Sequence, residues 1–194
     1  MIFQNKRAIM GIGTLIILIA MILVSAVAAG VIINSATQLQ GKAQIVGNVV
    51  QNRLVTGVEA VKIMGYTDPT MTKVDSIEIL GRLRAGSPSI NLRDLSIILS
   101  SANFTVSPVY TRLDQCSFSA LQPESEYCHK TLIGNNDTVI EPQEMVSIRF
   151  KLEGANRLET NQKVSFSLVA PKGDVIELQR TVPSLVGSQR VEIL

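Results

Sequence analysis

The architecture of this chain depends first on the segment AIMGIGTLIILIAMILVSAVAAGVIINSATQLQG, which runs from Ala8 to Gly41. It contains no charged residue, and its first part, residues 8–33, is almost entirely apolar. A helix needs about 20 apolar residues to cross the hydrocarbon core of a membrane, so this segment is long enough to span one. A helix that is apolar on every side must be buried in lipid or in protein. The sequence therefore predicts a helix that lies first in a membrane and later inside a protein assembly.

Three interpretations of the N-terminus remain open. Lys6 and Arg7 precede the apolar segment, and positive flanking residues favour the cytoplasmic side of a membrane. The first interpretation is a secretory signal peptide, with an apolar region over residues 8–24 and a small-residue cleavage site at residues 26–28. The second is a signal anchor that stays in the membrane. The third is a pilin-type signal that is cut on the cytoplasmic side, so that the apolar helix stays on the mature chain.

The pattern after the apolar segment predicts a continuation of the helix with one polar side. Between residues 42 and 64, apolar residues recur every three or four positions, as they do on one face of a helix. Gly65 and then Pro69 are typical signals for the end of a helix. We therefore expect one helix over residues 9–65, with a hydrophobic part over 9–33 and an amphipathic part over 42–64.

Two small residues stand one helical turn apart within the apolar segment. Ala26 and Gly30 form a small-xxx-small pair, which allows two helices to approach closely. The alternative is that both are simply tolerated by lipid. The amphipathic continuation of the helix favours the interpretation in which they pack against other helices.

Alternation of apolar and polar residues predicts a β domain over residues 70–194. The patterns of residues 74–83 and 144–152 are those of half-buried strands. Several short strands separated by turns predict an all-β sandwich of the Ig-like or jelly-roll type, so the expected fold class is α+β. The polar stretch 112–137 is expected to be mostly loop. Further strands are expected at 95–100, at 103–110, and in a hairpin formed by 164–169 and 175–178.

The composition argues against several classes of function. The 194 residues carry a net charge of +2, contain no Trp, and include 4% aromatic residues, so neither an electrostatic nor a stacking surface for nucleic acid is predicted. His129 is the only histidine in the sequence, and no catalytic, metal-binding or nucleotide-binding motif is present. We expect no active site, no metal and no cofactor.

Two features are typical of an exported domain. Cys116 and Cys128 are the only cysteines, and a pair on an exported chain predicts a disulfide, although two free thiols are the alternative. Asn103 and Asn136 each begin an Asn-x-Thr sequon, which predicts N-glycosylation of an outward-facing surface.

The run from Gly11 to Ile33, GIGTLIILIAMILVSAVAAGVII, resembles an archaeal flagellin (archaellin). The resemblance continues through residues 38–43. It includes residues 83–92, which are similar to the first β-strand and turn of that family, and the last hairpin as it enters residues 181–183.

The resemblance implies a route of export and assembly. A prepilin-type leader peptidase would cut between Ala8 and Ile9, removing a leader of residues 1–8, although the family often has Gly where this chain has Ala8. An ATPase-driven platform would then lift subunits from the membrane into an extracellular helical filament. The expected packing residues of the helix are Gly11, Gly13, Ala26 and Gly30.

The expected function is therefore that of a structural subunit of the archaeal flagellum, whose partners are further copies of itself or related subunits. One alternative is a subunit of an adhesive pilin-like filament. The other is a membrane-anchored or secreted β-sandwich that binds a ligand.

Overall fold

The computed structural model of the chain describes residues 3–111, 116–184 and 189–193, with helix side chains described from residue 10 onward. The chain divides into two compact units, Met1–Val49 and Val50–Leu194. The first is helical over its described residues, and the second contains the last helical residues and the β-strands.

The N-terminal element is one long helix, α1 (Phe3–Val55), of 53 residues. At 1.5 Å per residue it is about 80 Å long. The apolar segment over residues 9–33 is helical as predicted, and so is the amphipathic segment as far as Val55. Its backbone continues without a break through Gly41 and Gly47, each of which costs about 1 kcal/mol relative to Ala in a helix.

The amphipathic helix ends at Val55, so the prediction of helix up to Met64 is wrong for its last turns. The backbone N–H of Thr56 still donates to the carbonyl of Asn52 (2.9 Å). The Arg84 guanidinium then donates to the carbonyl of Leu54 (3.2 Å), which satisfies one of the carbonyls that every helix leaves free at its C-terminus.

Strand β1 (Val58–Thr67) occupies the residues that the periodicity assigns to helix. Valines spaced three and four apart fit a helix face, but β-branched residues also favour strands, and pairing with a second strand decides between the two. Gly65, expected to end the helix, lies inside β1. A Cβ at this position would stand 2.9 Å from the Val74 side chain, so the glycine allows the two strands to pack closely.

Within the described ranges, eleven further strands follow β1, and the observed bounds are these: β2 (Val74–Leu83), β3 (Ile90–Asn91), β4 (Ser96–Ser101), β5 (Thr105–Val106), β6 (Val109–Tyr110), β7 (Glu126–Ile133), β8 (Val139–Ile140), β9 (Met145–Lys151), β10 (Lys163–Val169), β11 (Val175–Thr181) and β12 (Arg190–Glu192). Short 3-10 turns cover Leu92–Asp94 and Gly154–Asn156.

The strands form two larger sheets that enclose a common core. One has six strands in the order β12-β1-β2-β9-β7-β6, and the other has four in the order β11-β10-β4-β5, while β3 and β8 pair separately. The core is built from alternate residues of both sheets, among them Ile77, Ile148, Phe150 and Phe166, which are all fully buried. The predicted α+β class, a long apolar helix followed by a β-sandwich, is therefore confirmed.

Most predicted strands are present, and two expectations are corrected. Residues 74–83 form β2 as predicted. Residues 83–92, which resemble a first strand and turn, begin at the last residue of this second strand and cover the turn after it and β3. Residues 126–133 form β7 within the stretch expected to be loop. Apolar and polar residues do not alternate at the start of this strand, because both of its faces are covered there. Tyr127 is buried in the core, and Cys128 is buried on the opposite face.

Tyr127 ties this strand to the turn before β4. Its single hydroxyl proton is shared between the carbonyls of Leu92 (2.5 Å) and Leu95 (2.6 Å). All three residues are buried, so the tyrosine satisfies carbonyl groups that would be costly to leave without a partner. Burial raises the pKa of the Tyr127 hydroxyl well above its ordinary value, and it stays a donor at any physiological pH.

Candidate assembly helix and the outer face of the β domain

The first candidate functional surface is the exposed side of α1. Every side chain from Met10 to Leu54 is exposed, including Leu18 at 57% and Ile33 at 64%. Within the residues that the structure describes, α1 is the one helix long and apolar enough to cross a membrane. Such a large apolar surface on one chain marks a site of contact with lipid or with other proteins.

The polar side chains of the apolar segment satisfy their donors within the helix. Thr14 donates to the carbonyl of Gly11 (2.9 Å) and Ser25 donates to that of Met21 (2.7 Å). In an apolar environment each hydroxyl needs a partner, because no water is available. The helix can therefore lie in lipid or among other helices without a buried hydroxyl that lacks a hydrogen bond.

The four predicted packing residues do not share one face. Ala26 and Gly30 lie one turn apart on the same side of the helix, whereas Gly11 and Gly13 lie about 200° apart around its axis at 100° per residue. A Cβ added at Gly11, Gly13 or Gly30 would have no atom within 4 Å. The single chain therefore leaves room at all three positions, and Gly11 and Gly13 cannot both face the same neighbour.

The predicted cleavage site, Ala8 and Ile9, lies on the backbone of α1, and its side chains are outside the described residues. Cleavage there stays a prediction.

The second candidate surface is the outer face of the six-stranded sheet, where the register brings three residues into one row. Glu78 on β2 is opposite Arg149 on β9, and Arg149 is opposite Cys128 on β7. Directly opposite residues share a face of the sheet. Neither Glu78 nor Arg149 is among the residues predicted from the sequence, although a charged residue in the middle of each strand pattern is a signal that points to them.

Glu78 is the centre of this row and is 3% exposed. Its Oε1 accepts hydrogen bonds from Ser147 and from Arg149 through Nε (2.9 Å) and Nη2 (2.7 Å). Its Oε2 accepts from the Tyr66 hydroxyl (2.6 Å) and, at 3.4 Å, from Arg190. One buried carboxylate thus connects β1, β2, β9 and β12.

The ionised form of Glu78 is favoured despite its burial. Desolvation by itself would raise the pKa of this carboxyl, but hydrogen bonds from Ser147, Tyr66 and Arg149 outweigh it and hold the pKa below its ordinary value. The pKa of the Tyr66 hydroxyl is raised, first by burial and then by its hydrogen bond to Glu78. The cluster therefore holds one negative charge between two guanidinium groups. Its role is structural.

A disulfide holds a loop over the same face. Cys116 and Cys128 are bonded, with their Cα atoms 5.6 Å apart, so the predicted pairing is confirmed. The Arg149 guanidinium donates to the carbonyl of Cys116 (2.9 Å) and lies 5.5 Å from the centre of the Phe118 ring. Phe118 in turn contacts Tyr66, with ring centres 5.0 Å apart. These contacts connect the loop to the charge cluster.

Replacing both cysteines, as Cys116→Ala/Cys128→Ala, should lower the free energy of unfolding of the β domain by about 3 kcal/mol. The bond closes a short loop, with the cysteines 12 positions apart, and a loop of this size contributes about this much through chain entropy. The measurement is urea unfolding of the detergent-solubilised full chain, followed by circular dichroism. Reductant should destabilise the wild type to a similar extent and leave the double variant unchanged. A loss below 1 kcal/mol would contradict this prediction.

The two predicted glycosylation sites are accessible. Asn103 lies in the turn between β4 and β5, Asn136 lies in the turn between β7 and β8, and both are exposed. Exposure permits modification without demonstrating it, so N-glycosylation at either site stays a prediction.

The structure offers no obvious catalytic or metal centre among its described residues. No group of three or more His, Cys, Asp or Glu side chains in these ranges is placed to hold a metal ion. His129 contacts the Tyr110 hydroxyl through Nδ1 (3.1 Å) and the carbonyl of Asp137 through Nε2 (2.6 Å). Both ring nitrogens therefore have structural contacts.

Comparison with known proteins identifies the family. The sequence profile of the archaeal-type flagellins matches residues 8–180. Flagellin A1 of Haloferax volcanii is 31% identical over an alignment that covers 93% of each chain. Flagellin B1 of Methanocaldococcus jannaschii is 41% identical, over 50% of this chain and 44% of its own length. Against this relative and Flagellin B4 of Pyrococcus abyssi, the aligned part is about half of the relative's length.

Two solved structures share the fold. The crystal structure of archaeal flagellin FlaB1 from Methanocaldococcus jannaschii superposes with a TM-score of 0.62 at 17% identity, covering 71% of this chain and 96% of that one. The archaeal flagellum of Methanospirillum hungatei strain JF1 gives a TM-score of 0.63 at 14% identity, covering 95% and 99%. The profile match and the similarity to Flagellin A1 of Haloferax volcanii show that the chain belongs to the archaeal-type flagellin family.

Proposed function

We propose that this chain is a structural subunit of the archaeal flagellum, and that it polymerises through α1 into an extracellular helical filament. The observation that carries the proposal is the exposed apolar surface of α1 from Met10 to Ile33, on a chain of the flagellin family. In a single chain these apolar side chains are exposed. In the filament, the same helix of neighbouring subunits would bury them.

The energetics of this assembly differ from those of folding in water. Lipid tails are as apolar as Leu and Ile side chains, so moving the helix from a membrane into a helical bundle brings little hydrophobic gain. Close packing between helices must supply the attraction, and small residues such as Ala26 and Gly30 allow it. Withdrawal from the membrane then requires work from outside, which fits the proposed partnership with an ATPase-driven platform.

The proposal includes maturation of the N-terminus. A prepilin-type leader peptidase would cut between Ala8 and Ile9 and remove Lys6 and Arg7, two of the four cations in α1, which has no acidic residue. These cations favour the cytoplasmic side of the membrane. Their removal would leave the apolar segment at the mature N-terminus, where the new α-amino group of Ile9 takes the place of the two side-chain cations.

The decisive experiment is N-terminal sequencing of the protein in material sheared from cells and pelleted. The expected result is a chain that starts at Ile9 in a sedimenting, filamentous fraction. A soluble chain that starts at Ala29 would show a secreted domain, and an intact Met1 confined to membranes would show a plain anchor. Either result would overturn the proposal.

A pair of variants tests the cleavage step separately. Ala8→Gly keeps a small residue before the cut and should yield the same mature N-terminus. Ala8→Leu should leave the leader in place and keep the chain in membranes. Equal processing of both variants would place the cut elsewhere.

A further inference from the structure

We propose that Lys42 and Arg53 of α1 form ion pairs with carboxylates on the β domain of a neighbouring subunit when the filament assembles. This pairing rests on the filament proposed above, and it identifies the chemistry of the surface that covers the second half of α1. Two observations lead to it: the place of both cations on the apolar side of the helix, and the division of charge between α1 and the rest of the chain.

Both cations lie within the apolar side of α1. Leu39, Lys42, Val46, Val49 and Arg53 follow one another at spacings of three or four residues, and residues at these spacings share one side of a helix. All five side chains are exposed in the single chain, with Leu39 at 67% and Val46 at 60%. A surface that covers this side of the helix therefore covers two positive charges as well.

The opposite side of this part of the helix is polar and uncharged. Gln40, Gln44 and Gln51 lie there, on the far side from Lys42 at about 100° per residue, and all three are exposed. This part of α1 follows the uncharged apolar segment, so in the membrane-inserted chain we expect water around it. Burial of its apolar side chains would therefore bring a hydrophobic gain, which favours the side with the two cations as the one that a neighbour covers.

Neither cation has a counter-charge within α1. The helix contains no Asp or Glu, so packing against another copy of α1 would bring Lys42 and Arg53 only further cations. Among the described residues, neither of them lies within 4.0 Å of a carboxylate, whereas the ion pairs of the β domain engage other lysines and arginines. Burial of an unpaired charge is costly, so assembly on this side requires carboxylates from outside the helix.

The β domain carries the complementary charge. Four of the 18 Lys and Arg residues lie in α1, whereas all 16 Asp and Glu residues follow it, so 16 acidic residues face 14 basic ones after the helix. Cleavage after Ala8 would leave Lys42 and Arg53 as the two side-chain cations of α1. Exposed carboxylates without an ion pair among the described residues are available in the β domain, including those of Glu141 and Glu153.

A lipid headgroup phosphate is another anion that these cations meet, but only in the membrane. Withdrawal of α1 into a filament separates the helix from lipid, whereas every neighbouring subunit brings its β domain into the assembly. The carboxylates of a second copy are therefore the favoured partners, and lipid is one of the outcomes that the experiment distinguishes.

The test is zero-length cross-linking of sheared filaments with a carbodiimide, which joins an amine to a carboxylate in direct contact, followed by mass spectrometry of the peptides. Lys42 should be joined to an Asp or Glu of the β domain, with at least tenfold less of this product in the detergent-solubilised single chain. A lysine introduced on the opposite side as Gln44→Lys should give at least tenfold less product than Lys42 in the same filaments.

Three results of the cross-linking would overturn the proposal. They are no product at Lys42, equal product in the single chain, which would assign the carboxylate to the same subunit, and equal product at position 44. Lipid phosphate retained in the filaments in place of the cross-link would overturn it as well.

Charge reversal tests whether the pairs contribute to assembly. Lys42→Glu/Arg53→Glu should lower the yield of sheared filaments at least tenfold, because each reversed group would meet a like charge, while the fraction of the protein in membranes stays unchanged. Lys42→Arg/Arg53→Lys keeps both charges and should assemble normally. The control Gln44→Glu/Gln51→Glu places two acidic groups on the opposite side and should change the yield less than twofold.

The variants also separate this pairing from the filament itself. Normal filaments from both the wild type and Lys42→Glu/Arg53→Glu would overturn the pairing and leave the proposed function in place. Absence of filaments from the wild type would overturn both.

Discussion

Gly30→Leu should abolish filament formation while leaving the chain inserted in the membrane. Position 30 lies in the apolar part of α1, one turn after Ala26, where a small residue allows a neighbouring helix to approach closely. Leucine would add a branched side chain to every subunit, so the same obstruction would repeat along the whole filament. Insertion is favoured by the added apolar surface, so the defect should appear only at assembly.

The measurement is electron microscopy of sheared material, together with the fraction of the protein that remains in membranes. The expected result is full membrane recovery and no filaments. Gly30→Ala and Ala26→Ser keep both side chains small and are the matched controls, which should still form filaments. Normal filaments from Gly30→Leu would show that no helix approaches closely at this position.

Glu78→Gln should lower the free energy of unfolding of the β domain by about 3–5 kcal/mol. Removing one partner of a buried ion pair leaves the other charge without compensation, and losses of this size are typical. Arg149 is 20% exposed and Glu78 is 4% exposed at the side chain, so little water reaches the pair. The variant would also weaken the attachment of β12, because Arg190 bonds to the same carboxylate.

The matched control is Glu59→Gln, which breaks an ion pair with Arg82 whose two side chains are 51% and 55% exposed. Exposed pairs contribute about 0–1 kcal/mol, so the control should hardly change stability. Urea unfolding of the full chain in detergent measures both variants. Similar small losses in the two would show that the Glu78 cluster does not contribute as its geometry indicates.

The destabilisation by Glu78→Gln should also depend on pH. The pKa of Glu78 is lower in the folded chain than its ordinary value of 4.5, so its ionised form contributes stability that is fully present above that value. This contribution is lost as the pH falls through the folded pKa. The difference in stability between wild type and variant should therefore be constant near neutral pH and shrink at acid pH. A difference that grows below pH 4.5 would contradict the assignment.

The sequence was sufficient to predict those helices and strands whose hydrophobic pattern lies within one continuous segment. The apolar run over residues 9–33 can only be a helix in lipid or protein, since each backbone group must find its partner inside the segment. Strand β2 and the hairpin of β10 and β11 likewise carry full alternating patterns with turn residues between them. The disulfide was predicted because the chain has two cysteines and is expected to be exported. The sequence also contains no catalytic motif.

Features that depend on partners distant in sequence became visible in the folded chain. Valines after residue 55 fit helix or strand equally well, and pairing of β1 with β2 chose the strand. Strand β7 does not show the alternation of apolar and polar residues, because Tyr127 is buried on one face and Cys128 is buried on the other. The Glu78 cluster joins residues from several strands. Its chemistry comes from proximity across the sheet, which no single stretch of sequence specifies.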